Sequence, residues 1–175
     1  AEARLVPAER ARAARLRFAR DRDRFVRARA AMRTLLGGYL GLAPCDVPLA
    51  TGVHGKPFVE SAGAPRFNLS HAGGRAVLAI GRCGRIGVDL ESCEGREGLR
   101  ELAASCLTPE ESRALATLGE GAWERAFLTA WTRKEAVLKA AAAGLLEDPS
   151  RLAVGVGDAR VRVVREDGEF AVESV

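Results

Sequence analysis

Asp89 and Glu91 stand two residues apart in Ile86-Gly87-Val88-Asp89-Leu90-Glu91, where apolar residues alternate with small or acidic ones. On an extended strand that spacing sends both carboxylates to one face, with Cα atoms roughly 6.6 Å apart. Two such groups can converge on a hard cation, and Mg²⁺ takes oxygen ligands while keeping water and phosphate in its shell. The same spacing also fits two solvent-facing residues on a half-exposed strand. A second set lies in Trp131-Thr132-Arg133-Lys134-Glu135-Ala136-Val137-Leu138-Lys139. Glu135 and Lys139 are i and i+4 and share a helix face, with Trp131 one turn earlier on the same side. Glu135 could then be a third metal ligand or a base, and Lys139 a phosphate contact. An ordinary Glu–Lys pair is the plainer alternative, and Trp131 is expected in the core.

Two further stretches are weaker. In Phe67-Asn68-Leu69-Ser70-His71-Ala72-Gly73-Gly74, Ser70 and His71 are neighbours on a predicted strand and point to opposite faces, which makes them a poor nucleophile–base pair. The G-x-S-x-G elbow of serine hydrolases is absent. A hydroxyl and an imidazole beside a phosphate remain open, as do a capping Ser and a surface His. Gly55-Lys56-Pro57-Phe58 lacks the glycine spacing of a phosphate-binding loop and alone reads as a turn with an exposed lysine.

These residues need elements to carry them. Ala and Arg alternate over 8–17, and from Asp21 a helical stripe runs through Phe25, Ala28, Met32, Leu35, Leu36, Tyr39 and Leu40. Gly37-Gly38 and Gly41 weaken its end, and 43–55 reads as a connection with one short strand. Ala76–Ile80 and Ile86–Glu91 predict a hairpin around Gly81-Arg82-Cys83-Gly84. Thr108-Pro109-Glu110-Glu111 is a helix start. A longer helix is predicted over 122–143, with Trp123, Phe127, Ala130, Trp131, Val137 and Leu138 as its apolar stripe and Gly144 as its stop. Val161–Val164 and Phe170–Val175 predict a last hairpin around Asp167-Gly168. The order helix, strands, helix, strands gives an α+β fold of two similar halves, each a long helix on a small antiparallel sheet.

Composition narrows the class. With 175 residues, 47% hydrophobic and 29% charged, the chain is neither disordered nor fibrous. No apolar run reaches the length of a membrane span. The Arg-rich N-terminus, which starts on Ala, has no apolar signal region, so the chain is expected in the cytoplasm. The four cysteines, at 45, 83, 93 and 106, are too scattered for a zinc knuckle and are expected as thiols. Residues 1–33 hold 11 Arg against 4 acids, whereas the remainder is net acidic. Such a patch suits nucleic acid, a phosphate-rich small molecule or an acidic protein. Two Trp and one Tyr leave little for base stacking, so nucleic acid is not expected as a partner.

The joint order of GKP, FNLSH, D-x-E and WxxKEAxxK is far more specific than any one of them. It resembles the 4′-phosphopantetheinyl transferases, in particular the larger, monomeric Sfp-like class. The matching positions are Lys56, Ser70, His71, Asp89, Glu91, Trp131, Lys134, Glu135 and Lys139, and Arg17–Asp21 matches more loosely a basic stretch that contacts the cofactor's phosphates. The family pattern has a strand before the segment at Pro7 and one more strand at the end, so the sheet edges are where this chain departs from it.

The resemblance implies two halves related by a pseudo-twofold, residues 1–88 and 89–175, with the site in the cleft between them. It implies transfer of the phosphopantetheine arm of coenzyme A to a serine of an acyl, peptidyl or aryl carrier protein, releasing adenosine 3′,5′-bisphosphate. Asp89, Glu91 and Glu135 would hold Mg²⁺, with Mn²⁺ as a substitute, since three converging carboxylates repel without a cation. Glu135 would take the carrier serine's proton, directly or through water. Lys139 would stabilise pyrophosphate oxygens and His71 would hydrogen-bond a phosphate. Lys56, with Pro57 beside it, and Ser70 would bind the 3′-phosphate, with Arg20 in the same cluster. Asp89 and Lys139 thus also belong to the coenzyme A site. The competing readings are a non-catalytic homologue that binds coenzyme A or a carrier, a magnesium phosphohydrolase, and a basic nucleic-acid-binding module.

Overall fold

The computed structural model describes residues 1–52, 55–82, 84–93, 97–141, 147–157, 160–165 and 168–174. They fall into two compact units, residues 1–66 with 80–84, and residues 67–79 with 85–175.

In the first unit, Pro7 at the first helical position and Glu9 reaching back to the Val6 amide start helix α1 (Pro7–Ala14). Helix α2 (Ala19–Leu40) buries Val26, Ala30, Met32, Arg33, Leu36 and Gly37. Leu35 and Tyr39, expected on that face, are 49% and 54% exposed. The cause is Arg33, which hydropathy ranks as outward but which is 3% exposed. Its guanidinium donates to Glu9 at 2.7 Å and to the carbonyls of Pro44 and Val47 at 3.0 and 3.1 Å. A buried, fully bonded guanidinium fixes the roll of the helix that carries it. Gly37-Gly38 do not end α2. A Cβ at Gly37 would stand 2.6 Å from the Leu42 carbonyl oxygen, so the glycine lets the chain fold back there. Gly41, at φ 68°, closes the helix in the left-handed conformation. Strands β1 (Leu49–Thr51) and β2 (Pro57–Val59) then pair antiparallel, Leu49 opposite Val59.

The next hairpin differs from the expectation. Strand β3 (Arg66–Ala72) pairs with β4 (Arg75–Gly81) through Gly73-Gly74, both at positive φ. That two-residue turn suits the twist of paired strands, and it takes β4 away from 86–91. Residues 86–91 are extended but belong to no strand ladder.

Three helices follow in the second unit, α3 (Leu99–Cys106), α4 (Pro109–Ala116) and α5 (Glu120–Ala141). The α4 start is as predicted: the Glu111 amide donates to Thr108 Oγ1 at 3.2 Å, and the Thr108 amide donates to Glu111 Oε2 at 3.0 Å. Strands β5 (Arg160–Arg165) and β6 (Gly168–Glu173) pair with Val163 opposite Phe170. One core joins Phe127, Ala130, Val137 and Leu138 of α5 with Leu115, Val154, Val163, Phe170 and Val172. The α+β class holds, with one 22-residue helix in each unit. The predicted stop at Gly144, the turn residue Asp167 and the strand end at Val175 lie outside the described residues, as does Cys83. Cys45, Cys93 and Cys106 are free thiols, and burial pushes that of Cys106 up to about 11. Among the described residues, no helix is long and apolar enough to cross a membrane.

Candidate active site

The extended 86–91 segment owes its close approach to α5 to a missing side chain. A Cβ on Gly87 would lie 1.9 Å from the Ala136 carbonyl oxygen and 2.5 Å from the Ala140 nitrogen. Alternation then turns Asp89 and Glu91 to the same side as Gly87, which is the α5 side and not the solvent. Lys139 Nζ donates to Asp89 Oδ1 at 2.5 Å. The aspartate side chain is 5% exposed and the lysine 31%. Trp131 Nε1 donates to Glu91 Oε1 at 2.9 Å. Trp131 thus packs at the edge of the core, as expected, and also holds a site carboxylate. A partly buried indole N–H needs an acceptor, and its i, i+4 spacing to Glu135 was the available signal.

Glu135 is half-buried one turn before Lys139. Burial pushes its carboxyl above the usual glutamate range, Lys139 pulls it down, and Asp89 and Glu91 push it further up. Three carboxylates and one ammonium therefore share a field. Among the described residues, no three His, Cys, Asp or Glu side chains already stand in a metal-holding arrangement. The donors nonetheless suit a hard cation. Asp89 Oδ2 is buried without a hydrogen-bond partner among the described residues, and mutual repulsion within the acidic set is what a divalent ion relieves.

Ser70 is 7% exposed and donates to Asp89 Oδ1 at 2.8 Å, while its oxygen lies 3.3 Å from both the Leu90 nitrogen and Lys139 Nζ. The structure thus gives this hydroxyl a carboxylate partner. His71, the next residue on β3, is exposed, in keeping with the opposite-face argument. Lys56, Pro57 and Arg20 belong to the first unit. Lys56 is half-buried just before β2, and Pro57 opens that strand. Arg20 is 76% exposed on the first turn of α2, 3.6 Å from Asp21.

Sequence reasoning missed two roles here. Lys134, in the middle of the WxxKEAxxK motif, is fully buried and lies away from the acidic set. Its ammonium donates to Glu111 Oε2 at 2.7 Å and to the carbonyls of Pro149 and Leu152. Glu111 Oε1 in turn accepts the Val154 amide at 2.8 Å. Asn68, 6% exposed, accepts the Val88 amide on Oδ1 at 2.8 Å.

A family model described as the 4′-phosphopantetheinyl transferase superfamily matches residues 85–174, and one described as the N-terminal part of a 4′-phosphopantetheinyl transferase matches residues 1–82. The 4′-phosphopantetheinyl transferase HetI of Nostoc sp. is 37% identical over 140 residues, covering 78% of this chain and 59% of that protein. A phosphopantetheinyl transferase of Thraustochytrium sp. is 34% identical over 157 residues, covering 82% of this chain and 54% of that protein. The 4′-phosphopantetheinyl transferase AcpT of Salmonella typhimurium is 36% identical over 108 residues, covering 61% and 54%. The chain thus spans little more than half the length of these relatives.

Proposed function

The chain belongs to the 4′-phosphopantetheinyl transferase superfamily, and on that premise we propose that it transfers the phosphopantetheine arm of coenzyme A to a carrier-protein serine. The observation that carries this reading is the meeting of Asp89, Glu91, Glu135 and Lys139, from an extended segment and a helix some 45 residues on, within the part of the chain the superfamily model matches. Asp89, Glu91 and Glu135 would hold Mg²⁺, or Mn²⁺ in its place. The ion, when bound, neutralises charge that builds on the pyrophosphate during transfer. Glu135 acts as the base that takes the proton from the carrier serine as its oxygen attacks the β-phosphorus. Lys139, already an ammonium at the acidic set, stabilises pyrophosphate oxygens, and His71 donates to a phosphate from the exposed face of β3. Lys56, beside Pro57, and Arg20 bind the 3′-phosphate.

The arginine surplus divides in two. Arg33 and Arg29 are tied to Glu9, whose carboxylate offsets part of their charge within the fold. Arg20, Arg24 and Arg27 are exposed and supply a positive surface that steers coenzyme A and acidic carriers, raising the encounter rate above all. In this reading the chain works as a cytoplasmic monomer, and halves bounded at 1–88 and 89–175 divide the labour between phosphate binding and transfer.

The test is intact-protein mass spectrometry of a panel of apo carrier proteins, each loadable by a control transferase, after incubation with this chain, coenzyme A and Mg²⁺. A mass gain of one phosphopantetheine arm, abolished by EDTA and by Asp89→Ala, is expected. No gain on any carrier overturns the transferase reading. Near-wild-type transfer by Asp89→Ala overturns the metal assignment.

A further inference from the structure

The acidic segment poses a physical problem. Residues 86–91 carry Asp89 and Glu91 yet have no strand ladder to hold their backbone. Carboxylates that must converge on one point need the backbone that carries them held in place. Strand β3 bonds this backbone through side chains. Asn68 Oδ1 accepts the Val88 amide at 2.8 Å, and Ser70 Oγ lies 3.3 Å from the Leu90 nitrogen. The two rungs are in register, because residues two apart on β3 meet residues two apart on the segment, and both repeat at about 6.6–6.8 Å. Asn68 and Ser70 are both buried, at 6% and 7%, while His71 beside them is exposed.

A side-chain rung holds its partner farther off than the roughly 4.8 Å of a backbone ladder. That extra distance is where Ser70 Oγ also reaches Asp89 Oδ1, at 2.8 Å. Between the rungs, Asp89 meets Lys139, and just beyond them Glu91 meets Trp131. The segment is thus clamped on one side by two polar side chains of β3 and on the other by the close contact of Gly87 with α5.

We infer that Asn68 and Ser70 are positioning residues, which replace a strand ladder by a two-rung side-chain ladder and so fix the aim of the Asp89–Glu91 pair. This rests on the carboxylates' role under the proposed function. Neither residue needs to touch the transferred group. Second-layer partners of metal ligands typically carry about 10–100-fold in metal affinity.

The experiment compares wild type, Asn68→Ala, Asn68→Asp and Ser70→Ala by amide hydrogen exchange and by Mn²⁺ titration of the protein alone. In Asn68→Ala the Val88 amide is expected to exchange at least about tenfold faster, while the Val137 amide in α5 keeps its wild-type rate. Mn²⁺ affinity falls by about 10–100-fold. Asn68→Asp keeps an acceptor for Val88 and restores its protection. Ser70→Ala shows the same loss at Leu90, and carries the test should Asn68→Ala not fold. Unchanged exchange at Val88 and Leu90 overturns the inference. So does a Mn²⁺ affinity within about twofold of wild type after protection is lost, since the ladder would then be structural only. Failure of the wild type itself to bind Mn²⁺ sinks the metal assignment, and the inference falls with it. Failure confined to the variants' predicted changes sinks the inference alone.

Discussion

Replacing Lys134 by Met separates the two lysines of the WxxKEAxxK motif. The side chain is fully buried, and its ammonium holds Glu111 Oε2 at 2.7 Å together with the carbonyls of Pro149 and Leu152. Met fills much of the volume but leaves the Glu111 carboxylate, on a residue 4% exposed, with its buried counter-ion gone. It also strips two carbonyls of a charged donor. Breaking a buried pair by removing one partner costs about 3–5 kcal/mol. For a chain of this size each kcal/mol moves the melting temperature by about 2–4 °C, so the expected fall is roughly 6–20 °C. Glu111→Gln added to Lys134→Met removes the stranded charge and recovers part of that loss. Lys139→Met also takes the cation from a buried carboxylate, Asp89 at 5% exposure, but Lys139 is 31% exposed and Asp89 keeps its bond from Ser70, so the melting temperature falls by less than in Lys134→Met while transfer is lost. Circular-dichroism melts give the first number, and carrier loading well below each variant's melting point gives the second. A Lys134→Met protein that melts within a degree or two of wild type would refute the argument, whatever its activity.

Gly87→Ala should lose about 100-fold or more in transfer, because a Cβ at 1.9 Å from the Ala136 oxygen forces the acidic segment back from α5 by about an ångström. Carrier loading checks this, and a near-wild-type rate would show that the contact is not needed. Glu135→Gln probes the raised carboxyl. A folded-state value above the unfolded one means that ionising Glu135 disfavours the fold, so stability is lost as pH rises from the ordinary value of about 4.3 through the folded one. Glu135→Gln should therefore melt higher than wild type at neutral pH without divalent ions, with the gap closing below about pH 4. Melts across pH would contradict this if the gap widened in acid. Thr108→Ala removes the α4 cap and should cost about 1 kcal/mol, read as a small drop in melting temperature at unchanged transfer rate.

Local patterns carried much of the site. The period of two put Asp89 and Glu91 on one face, the i, i+4 spacing put Glu135 with Lys139, and Thr108-Pro109-x-Glu111 marked a helix start. Each follows from backbone geometry over a few residues, so one sequence suffices to read it. The joint order of the four motifs is itself enough to carry the family. Pairing was not legible in the same way. The alternation of 86–91 looks like a strand whether or not a partner strand exists, and the positive-φ turn at Gly73-Gly74 decided that β4 would pair with β3 instead. Helix roll was hidden for α2, because a bonded Arg33 outweighed the apolar pull of Leu35 and Tyr39.

The chain by itself thus determined which groups could share a face, since neighbours on a strand or helix are fixed by bond geometry. Only the tertiary structure decided what each face meets. Lys134 and Lys139 are separated by about 140° around the helix axis. Sequence gives that angle, but packing alone sends one ammonium to Glu111 in the interior and the other to Asp89 at the site. Asn68 is the same case from the strand side. Its amide could cap, pair or face water, and only the approach of the acidic segment gave it the Val88 amide to hold.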